Sequence, residues 1–245
     1  MSAAFLVALL AALLAGAVSG LTGFGLALIS VPLFLLVYDP TTVVVVTAVL
    51  SVAINAAVVW DSWREAHRRL VLALLPPAFV GLLVGVEVLA SVDPRYIRLG
   101  VGIVVVVSAL LLLREIKLPK ADTWLGTVVA GLVSGALSTS TGLSGPPVVL
   151  LFTSRGLPKH AFRGSSALYF LVLSLAGIAA LYHRGLMTAE HLPLSLSLVP
   201  AAFAGKLAGT ALLSRFSDKA FRALTLSIVI VTGALGAATA AWALM

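Results

Sequence analysis

The sequence predicts an all-helical integral membrane protein made of two inverted repeats, each a re-entrant, broken helical hairpin followed by three transmembrane helices. Three observations carry that expectation. The 245 residues are 61% hydrophobic and 10% charged with a mean hydropathy of +1.16, well outside the range of a soluble domain. Two apolar stretches, SGLTGFGLALISVPLF at 19–34 and SGALSTSTGLSGPPVVLLF at 134–152, are interrupted by glycines, hydroxyls and prolines. Unpaired backbone survives at membrane depth only inside protein or beside a water-filled cavity, so two such breaks point to a shared site. The third observation, the distribution of Lys and Arg over the loops, decides how the broken segments run.

Apolar runs of roughly 17 to 25 residues span as helices, whereas barrel strands would be short and alternating. Helical segments are expected over 3–19, 26–37, 41–60, 71–90, 96–113, 123–138, 146–154, 163–182, 192–213 and 220–243. Short punctuated loops such as 39–42 and 91–95 separate them and leave no room for a soluble domain. The opening residues could pass for a signal peptide cleaved near Ala15-Gly16-Ala17, but they lack a basic n-region and their end recurs later in the chain, so they are read as mature structure. The repeats are expected at 1–114 and 123–245, joined by a cytoplasmic linker at 115–122. The absence of cysteine excludes disulfides and thiolate metal sites. The net charge of +7 lies in short loops between spans, which fits membrane orientation and anion handling better than nucleic acid.

The repeat is visible in ordered matches. Ala15, Gly16, Val18, Ser19 and Gly20 recur 115 positions on as Ala130, Gly131, Val133, Ser134 and Gly135, and Ser30 and Pro32 recur as Ser144 and Pro146. Pro76, Ala78, Phe79, Gly81, Gly85, Leu89 and Arg98 recur 124 positions on as Pro200, Ala202, Phe203, Gly205, Gly209, Leu213 and Arg222. If the second broken segment crossed the bilayer, the loop cations would divide seven against eight; if it enters and returns, they divide twelve against three. The positive-inside tendency favours the return. It places the loops at 61–70, 114–122, 155–163 and 214–222 in the cytoplasm, and the C-terminus outside. The repeat then makes the first segment a hairpin too, with the N-terminus outside.

In each hairpin the second half-helix begins near the tip with unpaired N–H groups and the positive end of its dipole. Pro146 or Pro147 suits that first turn. Thr22, Gly23 and Gly25 on one side, and Thr139, Ser140, Thr141, Gly142, Ser144 and Gly145 on the other, are the candidate substrate-binding residues: glycines for close approach, hydroxyls as donors to an oxyanion. Capping or back-bonding to its own helix is the competing role for any single hydroxyl. Lys206 joins the set because it lies nine residues before Arg215, near mid-bilayer, where a charge is costly. Its structural alternative is snorkelling or an ion pair, with Glu87 the expected partner. Glu87 and Asn55 are candidates for coupling or polar contact, a proton being the candidate coupling ion, with reach to the outer water layer and helix-to-helix hydrogen bonding as their respective alternatives. Gly81 with Gly85 and Gly205 with Gly209 read as close-packing pairs. The four histidines fall in or near loops and no hydrolase motif is present, so no catalytic residue, metal or cofactor is expected.

At 20–33 and 135–147 the chain resembles the sulfite exporter TauE/SafE family, whose glycine and proline signature falls on Gly20, Gly23, Gly25 and Pro32, then on Gly135, Gly142, Gly145 and Pro146. The resemblance implies a transporter of small sulfur-containing oxyanions such as sulfite or sulfoacetate, usually inferred to export, in a bacterial-type inner membrane. It agrees with the anion site read from the residues. The first copy lacks the hydroxyl run of the second, which implies unequal contributions from the two halves. An anion channel and a membrane-embedded enzyme acting on a small sulfur compound are the alternatives.

Overall fold

A computed structural model describes residues 2–113 and 121–213, together with Ser217 and Ser227. The expected span at 220–243, most of the linker, and Arg114, Lys117, Lys120, Arg215, Lys219 and Arg222 lie outside the described residues. The helices are α1 (Ala3–Thr22), α2 (Leu26–Phe34), α3 (Pro40–Ser62), α4 (Arg68–Ser91), α5 (Pro94–Leu113), α6 (Trp124–Ser140), α7 (Gly145–Ser154), α8 (Lys159–His183) and α9 (His191–Leu213). No strand occurs among the described residues, and α1, α3, α4, α8 and α9 are long and apolar enough to cross a membrane. Trp60, Trp63 and Trp124 lie exposed at or beside helix ends, where interfacial anchors belong.

Local chemistry sets the boundaries. The Asp39 carboxylate accepts from the Thr42 N–H and Pro40 opens α3, while the Thr123 hydroxyl accepts from Gly126 at the start of α6. Both breaks pass through a left-handed glycine, Gly23 at φ 77° and Gly142 at φ 78°, which a Cβ would disfavour. The boundaries fall within a few residues of expectation, and the largest shift is that α8 begins at Lys159 rather than near 163, so Arg163 is a helix residue and not part of a loop.

Both broken segments double back. Arg155, just past the end of α7, donates to the Ala121 and Thr123 carbonyls and the Thr127 hydroxyl, which lie where α6 begins. α1 lies alongside α9, and the carbonyls of Leu35 and Tyr38 beyond α2 are held by Arg98 at the start of α5. At one end of the bundle the 61–67 loop meets the start of α8, where the His67 N–H donates to Ser165 Oγ. At the other end Glu87 pairs with Arg184. Loops that a crossing segment would put on opposite sides therefore share one end.

The earlier and later helices interlock through glycine. A Cβ on Gly16 would lie 1.9 Å from the Ala202 carbonyl oxygen, and one on Gly135 would lie 1.9 Å from that of Ala78. Gly209 meets Ala17 as Gly85 meets Ala136. So α1 packs on α9 and α6 packs on α4. These contacts correct the sequence correspondence. Gly16 shares its contact with Gly135, 119 positions on, rather than with Gly131. The tips agree: Thr22 donates to Val18 and accepts from the Phe24 N–H, and Thr141 donates to Leu137 and accepts from the Leu143 N–H. Ser30 and Pro32 lie inside α2, not at the position of Ser144 and Pro146 where α7 starts. The Ala-Gly-x-Val-Ser-Gly likeness is one helical turn out of step because it marks a packing stripe, not the tip.

Candidate functional site

The hairpin tips meet in the middle of the fold. A Cβ on Gly142 would touch Val31 of α2, and one on Gly145 would touch the Phe24 ring. Between them lies a cavity. Its walls are Ser19 from α1, the stretch 24–28 that opens α2, Ser144 and Gly145 at the start of α7, Ser51 and Asn55 from α3, and Phe170 from α8. Neither α2 nor α7 has a side-chain cap at its N-terminus, so the first N–H groups of α2 and that of Gly145 are presented at the cavity. Pro146 and Pro147 carry no N–H, which leaves α7 the poorer donor.

Two buried polar groups face the same space without a protein partner, Ser19 Oγ and Asn55 Oδ1. Their residues are 0% and 2% exposed. An unpaired buried polar atom costs roughly 1–3 kcal/mol, so these two atoms leave the cavity with unmet hydrogen-bonding capacity beside two uncapped helix starts.

The structure brings Gly25, Asn55, Ser144 and Gly145 of the expected site residues to this cavity. It directs the other hydroxyls into the protein. Thr22, Ser140 and Thr141 donate to carbonyls one turn back in their own helices, and Thr139 donates to the Leu82 carbonyl of α4 at 2.7 Å. Gly23 and Gly142 shape the turns.

Lys206 does not line the cavity, and its partner is not Glu87. Its ammonium pairs with Asp61 near the end of α3, whereas Glu87 pairs with Arg184 at 2.8 Å and both those side chains are more than half exposed. Beside Lys206 lies Arg163, whose Nε donates to the Gly20 carbonyl at 2.9 Å and whose Nη2 donates to Thr210 Oγ1 at 3.1 Å and lies 3.6 Å from Asp61. The Arg163 and Lys206 side chains are 3% and 5% exposed. Sequence reasoning assigned Arg163 to a loop and passed over Asp61 at a helix end. The one available signal was spacing: Arg163 lies four residues after Lys159, a helical step that could continue a helix as readily as a basic loop. Among the described residues no group of three or more metal-ligating side chains comes together.

The model of the family described as Sulfite exporter TauE/SafE matches residues 8–235. The chain belongs to that family. TauE/SafE membership, with the five long apolar helices, makes it a multi-pass membrane protein of a transporter family and implies that it carries sulfite or related sulfur anions. No curated protein and no solved structure matches the chain. In TauE/SafE terms, of the signature positions carried by the two breaks, Gly25 and Gly145 reach the cavity directly.

Proposed function

We propose that the chain is a secondary transporter that holds sulfite or a small organosulfonate such as sulfoacetate in the cavity between the hairpin tips. The observation that carries this reading is the convergence of two uncapped helix N-termini on a cavity where Ser19 and Asn55 keep buried polar groups unpaired. Backbone N–H groups and the Ser19 hydroxyl are donors for an oxyanion and need no cation in the wall, while the Asn55 Oδ1 is an acceptor for a protonated oxygen of the guest. The matched packing of α1 on α9 and α6 on α4 supports two inverted halves, 1–114 and 123–245, with the site at their interface, an arrangement suited to alternating access by rocking. The cations in and beside the loops, twelve against three, support a cytoplasmic location for the end that carries Asp61 and Arg155, with both termini outside; export of the anion is inferred from the family and not from the charge.

A thermal-shift comparison of sulfite, sulfoacetate, sulfate and acetate on the purified chain tests the site. A sulfur oxyanion is expected to raise the melting temperature of the wild type, by an amount equivalent to about 2.7 kcal/mol at one hundred times its Kd. Asn55→Ala and Ser19→Ala, both folded, are expected to lose most of that shift. Identical responses in wild type and both variants would remove the anion from this cavity.

A further inference from the structure

A second place in the fold is built for an anion and is occupied by the protein itself. Asp61 Oδ2 meets both the Lys206 ammonium and the Arg163 guanidinium, so one carboxylate serves two cations. The two cations are almost wholly enclosed, while the Asp61 side chain is 33% exposed and approaches from the solvent side. Glu65, one turn beyond Asp61, adds a favourable charge for Arg163 but is itself exposed. Enclosing two cations around one carboxylate is costly, and a purely structural ion pair needs only one of them. The guanidinium is also pre-aimed: its Nε is tied to Gly20, which turns its outer nitrogens toward Thr210 and the Asp61 oxygen.

We propose that Lys206 and Arg163, the latter braced by Thr210, form a second oxyanion station, whose anion position the Asp61 carboxylate fills in this structure and yields to a sulfonate or sulfite in transit. The proposal rests on the anion-transport reading above. A sulfonate, like a carboxylate, offers acceptor oxygens only, so the same ammonium and guanidinium serve either, while the Thr210 hydroxyl, donating to the Gly20 carbonyl and accepting from Arg163 Nη2, braces the guanidinium. The station adjoins the cavity across the last turn of α1: Ser19 lines the cavity, and the carbonyl of the next residue, Gly20, accepts from Arg163. An anion leaving the cavity past that turn reaches these two cations next, and its departure is completed when Asp61 returns. The arrangement belongs to one half only, because the position in α4 that corresponds to Lys206 is Leu82, whose carbonyl is taken by Thr139.

The experiment is a methanesulfonate titration of the full chain, followed by melting temperature, for wild type, Asp61→Asn and Asp61→Asn/Lys206→Met. A site that its own carboxylate occupies about nine-tenths of the time shows an apparent affinity roughly tenfold too weak, so Asp61→Asn is expected to bind about tenfold tighter than wild type. The double variant loses that gain. Equal affinity in wild type and Asp61→Asn overturns the proposal. If Asp61→Asn does not fold, carbodiimide-mediated amine labelling of Asp61 in the wild type, read by peptide mass spectrometry, decides instead. Methanesulfonate raises that labelling severalfold if it displaces the carboxylate, and unchanged labelling overturns the station. Adding Asn55→Ala separates the two sites. A gain from Asp61→Asn that survives it belongs to the station even if the cavity reading fails, and a gain lost with Asn55 assigns all binding to the cavity.

Discussion

At Gly135 a hydrogen stands where a side chain would collide with the Ala78 carbonyl, and at Gly16 the same is true of Ala202. Neither contact can relax by moving a flexible side chain, because the obstacle is helix backbone. Gly135→Ala and Gly16→Ala are therefore expected to destabilise the chain by about 1–3 kcal/mol, the ordinary cost of overpacking, read as a lower melting temperature in detergent. Gly100→Ala, where no atom lies within 4 Å, is the control and is expected to show no loss. The packing role of Gly81, Gly85, Gly205 and Gly209 was legible because small residues four apart leave a periodic mark. The role of Thr139 was not, since a hydroxyl that donates to Leu82 and one that faces a cavity look alike in a sequence. Arg163 was hidden for a similar reason: the basic run 155–163 reads as one loop, and only the start of α8 at Lys159 shows that its last member turns inward.

At its open end the second hairpin is tied by Arg155, as Ser134 ties it near the tip by donating to the Ser144 carbonyl. Three hydrogen bonds from Arg155 tie the exit of α7 to the approach of α6, spanning Ala121 to Thr127. Arg155→Ala is expected to cost about 2 kcal/mol, in line with charge-assisted bonds at a partly exposed position. Hydrogen exchange should show the loss locally, with faster exchange over 121–127 and 145–154 and little change in α3; uniform change along the chain would contradict this role. The breaks themselves were legible, since a Thr-Gly step inside an apolar run stops a helix in either copy. Their correspondence was one turn off, because a stripe of small residues repeats every turn and aligns with itself at more than one register. The tips, with their shared Thr hydrogen bonds and left-handed glycines, fix the register that the stripe leaves open.

Across the whole bundle the end that carries Asp61 also carries the start of α8, and the opposite end joins Glu87 to Arg184. The chain has no cysteine, so single introduced thiols report topology directly. Asp122→Cys and His160→Cys are expected to react with an impermeant maleimide from one side of the membrane, and Glu190→Cys from the other. Labelling of positions 122 and 160 from opposite sides would mean that the second broken segment crosses. That the 61–67 loop and the start of α8 share one end was legible in the loop cations, because charge placement survives in sequence whatever the helices do. Which helix of one half would cover which hairpin of the other was not legible, since that choice is made by faces that meet only after folding.

That exchange of partners also sets an order of events during synthesis. α6 emerges from the ribosome after α4, so its partner is waiting, whereas α1 is made long before its partner α9. At about 5–20 residues per second, the glycine face of α1 waits on the order of ten seconds or more for α9. Until then its small-residue groove is open to lipid, to neighbouring chains or to an insertion factor, and the half that is translated first is the half that closes last.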